Sequence, residues 1–234
     1  MSGPANRPKH PDEIIYNDAA CPERIFHTER VIVKMIKSRK DLEYYTECDR
    51  ITMGKELRAI PWNDTYYFLH DNRHYEYWYN NRRTLPGKLI SVIWRIRYKR
   101  ISMKCGFSIP VNTIGPGLCI PHYGTIVISE NARIGENCKI HVGVNIGAIN
   151  RSEKAKTIGN NVYIRPGAKQ IGGGFIKDNS VIGGNAAVTG NVEESITVGG
   201  IPARKIAKND SSVCLIKATD ILKRREVSGE TSCQ

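Results

Sequence analysis

The chain has 234 residues, 40% hydrophobic and 25% charged, with 21 glycines and 11 prolines. This is enough for one large domain, or a small domain followed by a larger one, and it argues against general disorder. The formal net charge of +12 reads either as a lysine-rich solvated surface or as a match to an anionic partner, such as a phosphorylated cofactor, an acidic glycan or a membrane surface. The basic residues are spread out and no nucleic-acid motif accompanies them, so nucleic acid is not expected as a partner.

The seven cysteines, Cys21, Cys48, Cys105, Cys119, Cys138, Cys214 and Cys233, are odd in number and form no CxxC pair. Neither a disulfide framework nor a zinc knuckle is expected, which fits a reducing, cytoplasmic setting. The N-terminal stretch MSGPANRPKHPDEIIYND has no apolar core, so no signal peptide is expected there. No apolar run approaches the roughly 18 residues of a membrane span, and membrane contact is expected at the surface only.

In chain order, residues 1–105 read as a helical region rich in Tyr, Trp, Arg and Lys. Helices are expected over 27–59, with Asp41 to Arg50 at the centre, and over 72–84. Pro86 looks like an early-helix proline opening a run from Gly87 to Lys104. In that run Leu89, Val92, Ile93 and Ile96 recur at helical spacing among Arg95, Arg97, Lys99, Arg100 and Lys104. The spacing predicts an amphipathic helix packed on its neighbours through those apolar residues. The alternative is a surface lying near an acidic acceptor or a membrane interface.

After residue 105 a six-residue period takes over. Aliphatic residues fall at Ile114, Ile120, Ile128, Ile134, Ile140, Ile146, Ile158, Ile164, Ile176, Ile182 and Val188, with Gln170 at the one polar position. Two extra residues precede Ile128, and a longer excursion separates Ile146 from Ile158. Small or medium residues follow four positions later at Gly124, Ala132, Cys138, Val144, Val162, Ala168, Gly174, Ser180 and Ala186. Each unit is then one short strand plus one turn, three units make a triangular coil, and stacked coils bury a continuous aliphatic column that no coil could bury alone. This predicts a mainly β parallel helix over 106–207. Residues 208–234 would follow as a polar linker, a short helix over 213–225 and a loose tail.

Residues 105–206 resemble the left-handed β-helix (hexapeptide-repeat) acyltransferases, in the serine acetyltransferase-like branch. The resemblance rests on IGPGLCIPHYGTIVISENARIGENCKIHVGVNIG (114–147), IGNNVYIRPGAKQIGGG (158–174), IGGNAAV (182–188) and GGIPARKI (199–206). The helical preamble looks like that of sugar O-acetyltransferases from capsule and exopolysaccharide gene clusters. The left-handed winding is implied by the resemblance, against the usual crossover preference. The resemblance further implies acetyl-CoA as donor, direct transfer in a ternary complex, no required metal, and a homotrimer or dimer of trimers with sites between neighbouring prisms.

His122, in IPHYG, matches the family's catalytic histidine, and its unperturbed pKa of about 6.5 suits a general base. His141, in IHVGV, lies one coil on, either on the same face or at a subunit contact. The resemblance points to the pantetheine arm and phosphates of CoA near Gly147, Ala168, Lys169, Gly184, Ala186, Arg204 and Lys205. The long turn GAINRSEKAKT would cover the arm. Serine acetyltransferases carry an acidic residue just before the catalytic histidine, where this chain has Pro121. They also carry one in the segment matching FSIP (107–110), and a histidine in the turn reading RSEKAKT (151–157) here. These departures favour a sugar or polysaccharide hydroxyl as acceptor, with serine O-acetylation for cysteine synthesis as the alternative. They leave the partner of His122 unnamed; Glu130 is a candidate, or a plain surface residue. Cys138 falls on an inward corner, so a packing role is expected and no covalent catalyst is assigned at Cys119 or Cys138. Two remoter alternatives are a metal-dependent hydratase, which would need about three protein ligands, and a non-catalytic assembly domain.

Overall fold

The computed structural model describes residues 33–54, 63–148 and 155–228, all of which fall in the unit Val31–Gln234. Its elements in chain order are α1 (Arg39–Met53), α2 (Asp64–Asn80), α3 (Leu85–Cys105), β1 (Phe107–Ser108), β2 (Ile126–Ile128), β3 (Arg133–Ile134), β4 (Lys139–Ile140), β5 (Asn145–Gly147), β6 (Thr157–Ile158), β7 (Tyr163–Ile164), β8 (Lys169–Ile171), β9 (Phe175–Ile176), β10 (Val181–Ile182), β11 (Ala187–Val188), β12 (Thr197–Gly199), β13 (Arg204–Ala207) and α4 (Ala218–Ser228).

The strands form a left-handed parallel β-helix with three faces, β1-β2-β5-β8-β11, β4-β7-β10-β12-β13 and β3-β6-β9. Every pairing between these strands is parallel except β12 with β13, which closes the stack antiparallel. The register sets like residues over like: Ile140 pairs with Ile164, Ile164 with Ile182, and Ile134 with Ile158. All eleven aliphatics of the six-residue period are buried, none more than 3% exposed. Gln170 takes its place in the column at 1% exposure, and neither of its side-chain polar atoms has a partner among the described residues. One corner is built on asparagines in the left-handed region (Asn137, Asn161 and Asn179, φ 53, 54 and 58°). Their amides form a ladder, Asn137 Nδ2 to Asn161 Oδ1 at 3.1 Å and Asn161 Nδ2 to Asn179 Oδ1 at 3.1 Å. Asparagine tolerates this conformation better than other non-glycine residues.

The helices start where capping chemistry allows. Ser38 and Asp41 form a reciprocal capping box that opens α1, so this helix is shorter than the span 27–59; residues 27–32 and 55–59 lie outside the described residues. Asn63 caps α2 through the Tyr66 N–H at 3.1 Å, so α2 begins eight residues before the expected Asn72. The expectation failed because α2 buries polar as well as apolar residues (Phe68, Leu69, Asp71, Asn72, Arg73, Glu76), which hides the 3.6-residue hydrophobic period. Thr84 caps α3, Pro86 sits in its first turn, and Gly106 ends it at φ 78°. α4 begins five residues later than expected, at Ala218. It is tied to the coil by Asn137, whose amide donates to Thr219 Oγ1 at 2.8 Å and accepts from the Thr219 N–H at 3.2 Å.

α3 corrects the expected packing face. Leu89, Val92, Ile93 and Ile96 are exposed. The helix docks instead through aromatic and small residues. Tyr98 stacks on Tyr75 with ring centres 5.2 Å apart, Trp94 stacks on His74 at 4.6 Å, and Ser91, Ser102 and Cys105 are buried. Flat rings against flat rings fill that seam, leaving no room there for the aliphatic stripe.

A buried ion cluster joins helices and coil. Arg73, 0% exposed, donates Nε to Asp49 Oδ2 at 2.8 Å and Nη1 to Glu76 Oε2 at 3.0 Å. It also donates to the carbonyls of Ile114 (3.0 Å) and Gly115 (2.7 Å) in the first coil. Asp49 in turn accepts the Leu118 N–H at 2.7 Å, and Glu76 accepts the Asn112 N–H at 2.7 Å. One guanidinium therefore satisfies two carboxylates and two carbonyls from three parts of the chain.

Candidate active site

The corner between the β4 face and the β1–β2 face carries both catalytic candidates. His141 follows Ile140 at the end of β4 and precedes β5. His122 lies between Cys119, which bridges to Lys139, and β2. The two histidines thus occupy the same corner on successive coils, with ring centres 6.1 Å apart. The irregular turn after His122 depends on Gly124, which has φ 135° and whose N–H donates to the Cys105 carbonyl at 2.8 Å. A Cβ at Gly124 would stand 2.3 Å from Val142 Cγ2, so only glycine fits between the coils.

A cavity of about 430 Å³ opens over this corner. His122, His141, Lys139 and Asn137 line it from the coils, Thr52 and Met53 from the end of α1, and Val213 to Ile216 from the segment before α4. Among the described residues no carboxylate lines it. Glu130 is exposed at the next corner, where its carbonyl accepts from Arg133 at 2.8 Å, and it takes no part in the lining. Met53, Thr52 and 213–216 are site residues that the repeat pattern did not indicate, because they come from outside the coils.

His141 Nε2 faces the Tyr163 hydroxyl at 3.2 Å, and Lys139 Nζ lies 5.4 Å from the centre of the Tyr163 ring. Burial lowers the His141 pKa below its ordinary value, and the charges of Lys139, His122 and Arg165 act in the same direction. The ring is therefore held neutral at neutral pH. Cys138 is fully buried and its thiol is pushed up to about 12 by burial, which leaves it unreactive at neutral pH. Among the described residues no group of three or more His, Cys, Asp or Glu side chains is arranged to hold a metal ion.

None of the seven residues expected near the donor lines this cavity. Gly147, Ala168, Lys169 and Ala186 instead follow one another down the adjoining face, where β5, β8 and β11 pair in register. Ala168 and Ala186 turn inward at 0% exposure, and their N–H groups donate to the carbonyls of Arg165 and Gly183. Gly184 is exposed at the turn before β11. Arg204 and Lys205 are exposed on β13, next to Ala203, whose N–H donates to the Ala187 carbonyl at 2.8 Å. Of the long turn GAINRSEKAKT, residues 149–154 lie outside the described residues. Among the described residues no helix is long and apolar enough to cross a membrane.

No model of a known protein family matches the chain. A serine acetyltransferase of Staphylococcus xylosus is 36% identical over 134 residues, which span 56% of this chain and 59% of that protein. The chain thus matches less than two thirds of that curated relative. Among solved structures, a Neisseria gonorrhoeae serine acetyltransferase in complex with serine aligns at 25% identity and a TM-score of 0.57, over 73% of this chain and 71% of the other. A serine acetyltransferase in complex with CoA shares the fold at 22% identity and a TM-score of 0.53, over 72% and 71% of the two chains. These relatives correct the expectation of a sugar or polysaccharide acceptor, since each is a serine acetyltransferase. Pro121 in place of the acidic residue does not by itself remove every grip on a small amino acid. The cavity holds a cation, Lys139, that a carboxylate can use.

Proposed function

We propose that the chain is an acetyl-CoA-dependent O-acetyltransferase whose acceptor is the hydroxyl of L-serine. The observation that carries the reading is the His122–His141 pair in a 430 Å³ cavity of a chain 36% identical to a serine acetyltransferase over 134 residues.

In the proposed reaction His122 takes the proton of the serine hydroxyl as its oxygen attacks the thioester carbonyl. The C–S bond then breaks, the acetyl group stays on oxygen, and the CoA sulfur leaves with the proton that His122 returns. Neutral His141, held by Tyr163, positions the acceptor beside His122 without competing for a negative charge. Lys139 holds the serine carboxylate. The donor runs along the β5–β8–β11 face, with Gly147, Ala168, Gly184 and Ala186 allowing close approach and Lys169, Arg204 and Lys205 meeting its phosphates. The working assembly is a homotrimer, supported by the flat coil faces.

The test is CoA thiol release by the purified protein with L-serine beside a panel of sugars. Turnover with serine that falls at least about 100-fold in His122→Ala supports the base assignment. In Lys139→Gln, KM for serine rises while KM for acetyl-CoA holds. Unchanged turnover in His122→Ala would sink the mechanism.

A further inference from the structure

Acetyl transfer gives no role to the outward face of α3. Leu85, Leu89, Val92, Ile93, Ile96 and Met103 share one side of that helix and are 76, 68, 53, 57, 54 and 64% exposed. Lys88 and Arg95 border the stripe on one side and Arg97 and Lys104 on the other, with Lys99 and Arg100 in its last turns between Ile96 and Met103. All six of these basic residues are exposed. No acidic residue occurs between Glu76 and Glu130 in the chain; α2 supplies carboxylates to one border only, Asp71 pairing with Arg97 at 3.0 Å and Asp64 with Lys104 at 2.7 Å. The inner face of the helix is fixed on α2 by Trp94 and Tyr98, so α3 cannot roll the stripe inward.

We propose that α3 is an interfacial helix that docks the protein on an anionic lipid bilayer. Its aliphatic stripe would enter the boundary between headgroups and acyl chains, and Lys88, Arg95, Lys99 and Arg100 would reach the phosphates. The charge pattern selects this occupant. A second copy of α3 would cover the stripe but set two cationic rims against each other, whereas acidic headgroups supply the apolar phase and the counter-charge together. A purely electrostatic polyanion would leave the stripe without a function. This proposal stands apart from the catalytic reading and does not depend on it.

The test is co-sedimentation of the full chain with vesicles of phosphatidylglycerol and phosphatidylcholine, against pure phosphatidylcholine, at low and at 0.5 M salt. The expected result is partitioning into the anionic vesicles about ten-fold or more above the neutral ones, weakened by salt. A combined Leu89→Ser, Ile93→Ser, Ile96→Ser variant is expected to lose about ten-fold of it, since each apolar side chain withdrawn removes buried area. A Lys88→Gln, Arg95→Gln, Lys99→Gln, Arg100→Gln variant should lose a similar factor. Because all seven replaced side chains are exposed, circular dichroism of both variants should match the parent. Absence of anionic-vesicle binding overturns the proposal. So does binding that the serine variant leaves unchanged, which would mark simple attraction of a cationic chain. A mass in solution that drops in the serine variant, without vesicle binding by the parent, would assign the face to self-association instead.

Discussion

Replacing Arg73 with methionine removes the one cation shared by Asp49 and Glu76, which are 3% and 2% exposed. Taking one partner from a buried ion pair leaves uncompensated charge and costs about 3–5 kcal/mol. Here two carboxylates lose their partner, and the Ile114 and Gly115 carbonyls lose a donor as well. The terms overlap, so the expected loss is about 4 kcal/mol rather than their sum. Urea unfolding followed by far-ultraviolet circular dichroism reads it as a lower midpoint. Adding Asp49→Asn and Glu76→Gln to Arg73→Met removes the stranded charges and should recover more than half of the loss. Arg73→Lys should not recover it, because an ammonium cannot match the planar fork. The cluster also bears on the cavity, since Asp49 holds Leu118, three residues before Pro121, and α1 ends at the cavity-lining Met53. A loss below about 1 kcal/mol in Arg73→Met, the level of an exposed pair, would refute the reasoning.

Gly124→Ala forces a Cβ to within 2.3 Å of Val142 Cγ2 at φ 135°; it should cost about 1–3 kcal/mol and a larger share of activity, as the turn carrying His122 shifts. Parallel denaturation and turnover measurements check this. In Lys139→Gln the His141 titration followed by NMR should move up toward 6.5, because one of the charges that depress it is gone. With its folded pKa depressed, neutral His141 contributes stability above about pH 6.5 that is lost as pH falls through the folded value, and this loss should shrink in the same variant. Lys156 is fully buried, its Nζ donates to the Gly173 carbonyl at 2.7 Å, and burial lowers its pKa to about 8. Stability should therefore rise between pH 8 and 10.5 in the parent and stay flat in Lys156→Met. At pH 7 that variant should be about 1–3 kcal/mol more stable, as thermal unfolding will show.

The β-helix was legible because stacking imposes a strict period: successive coils present an aliphatic residue at the same angle, as Ile140, Ile164 and Ile182 do, with Gln170 the one polar departure. The period sets His141 one coil on from His122 but leaves open a shared face or a subunit contact; in the structure the ring centres lie 6.1 Å apart at one corner. The helical region resisted the same treatment. α2 hides its inner face behind Asp71, Arg73 and Glu76, which only an ion cluster makes burial-competent, and α3 turns its aliphatic residues outward. The cavity wall from Thr52, Met53 and 213–216 comes from segments distant in the chain, and no local pattern announces it. The acceptor is hard to read from the motif for a related reason. Pro121 stands where the acidic residue is missing, whereas the cation that can meet a carboxylate, Lys139, lines the cavity from β4 one coil on.

The central claim is that His122 drives acetyl transfer from acetyl-CoA to the oxygen of L-serine. Mass spectrometry of a reaction with carbon-13-labelled acetyl-CoA and L-serine tests it most directly. The account expects labelled O-acetylserine to form with the parent protein, equimolar with released CoA, and to be lost with His122→Ala at matched folding. Labelled acetate in place of acetylated serine, or labelled serine made equally well without His122, would contradict it.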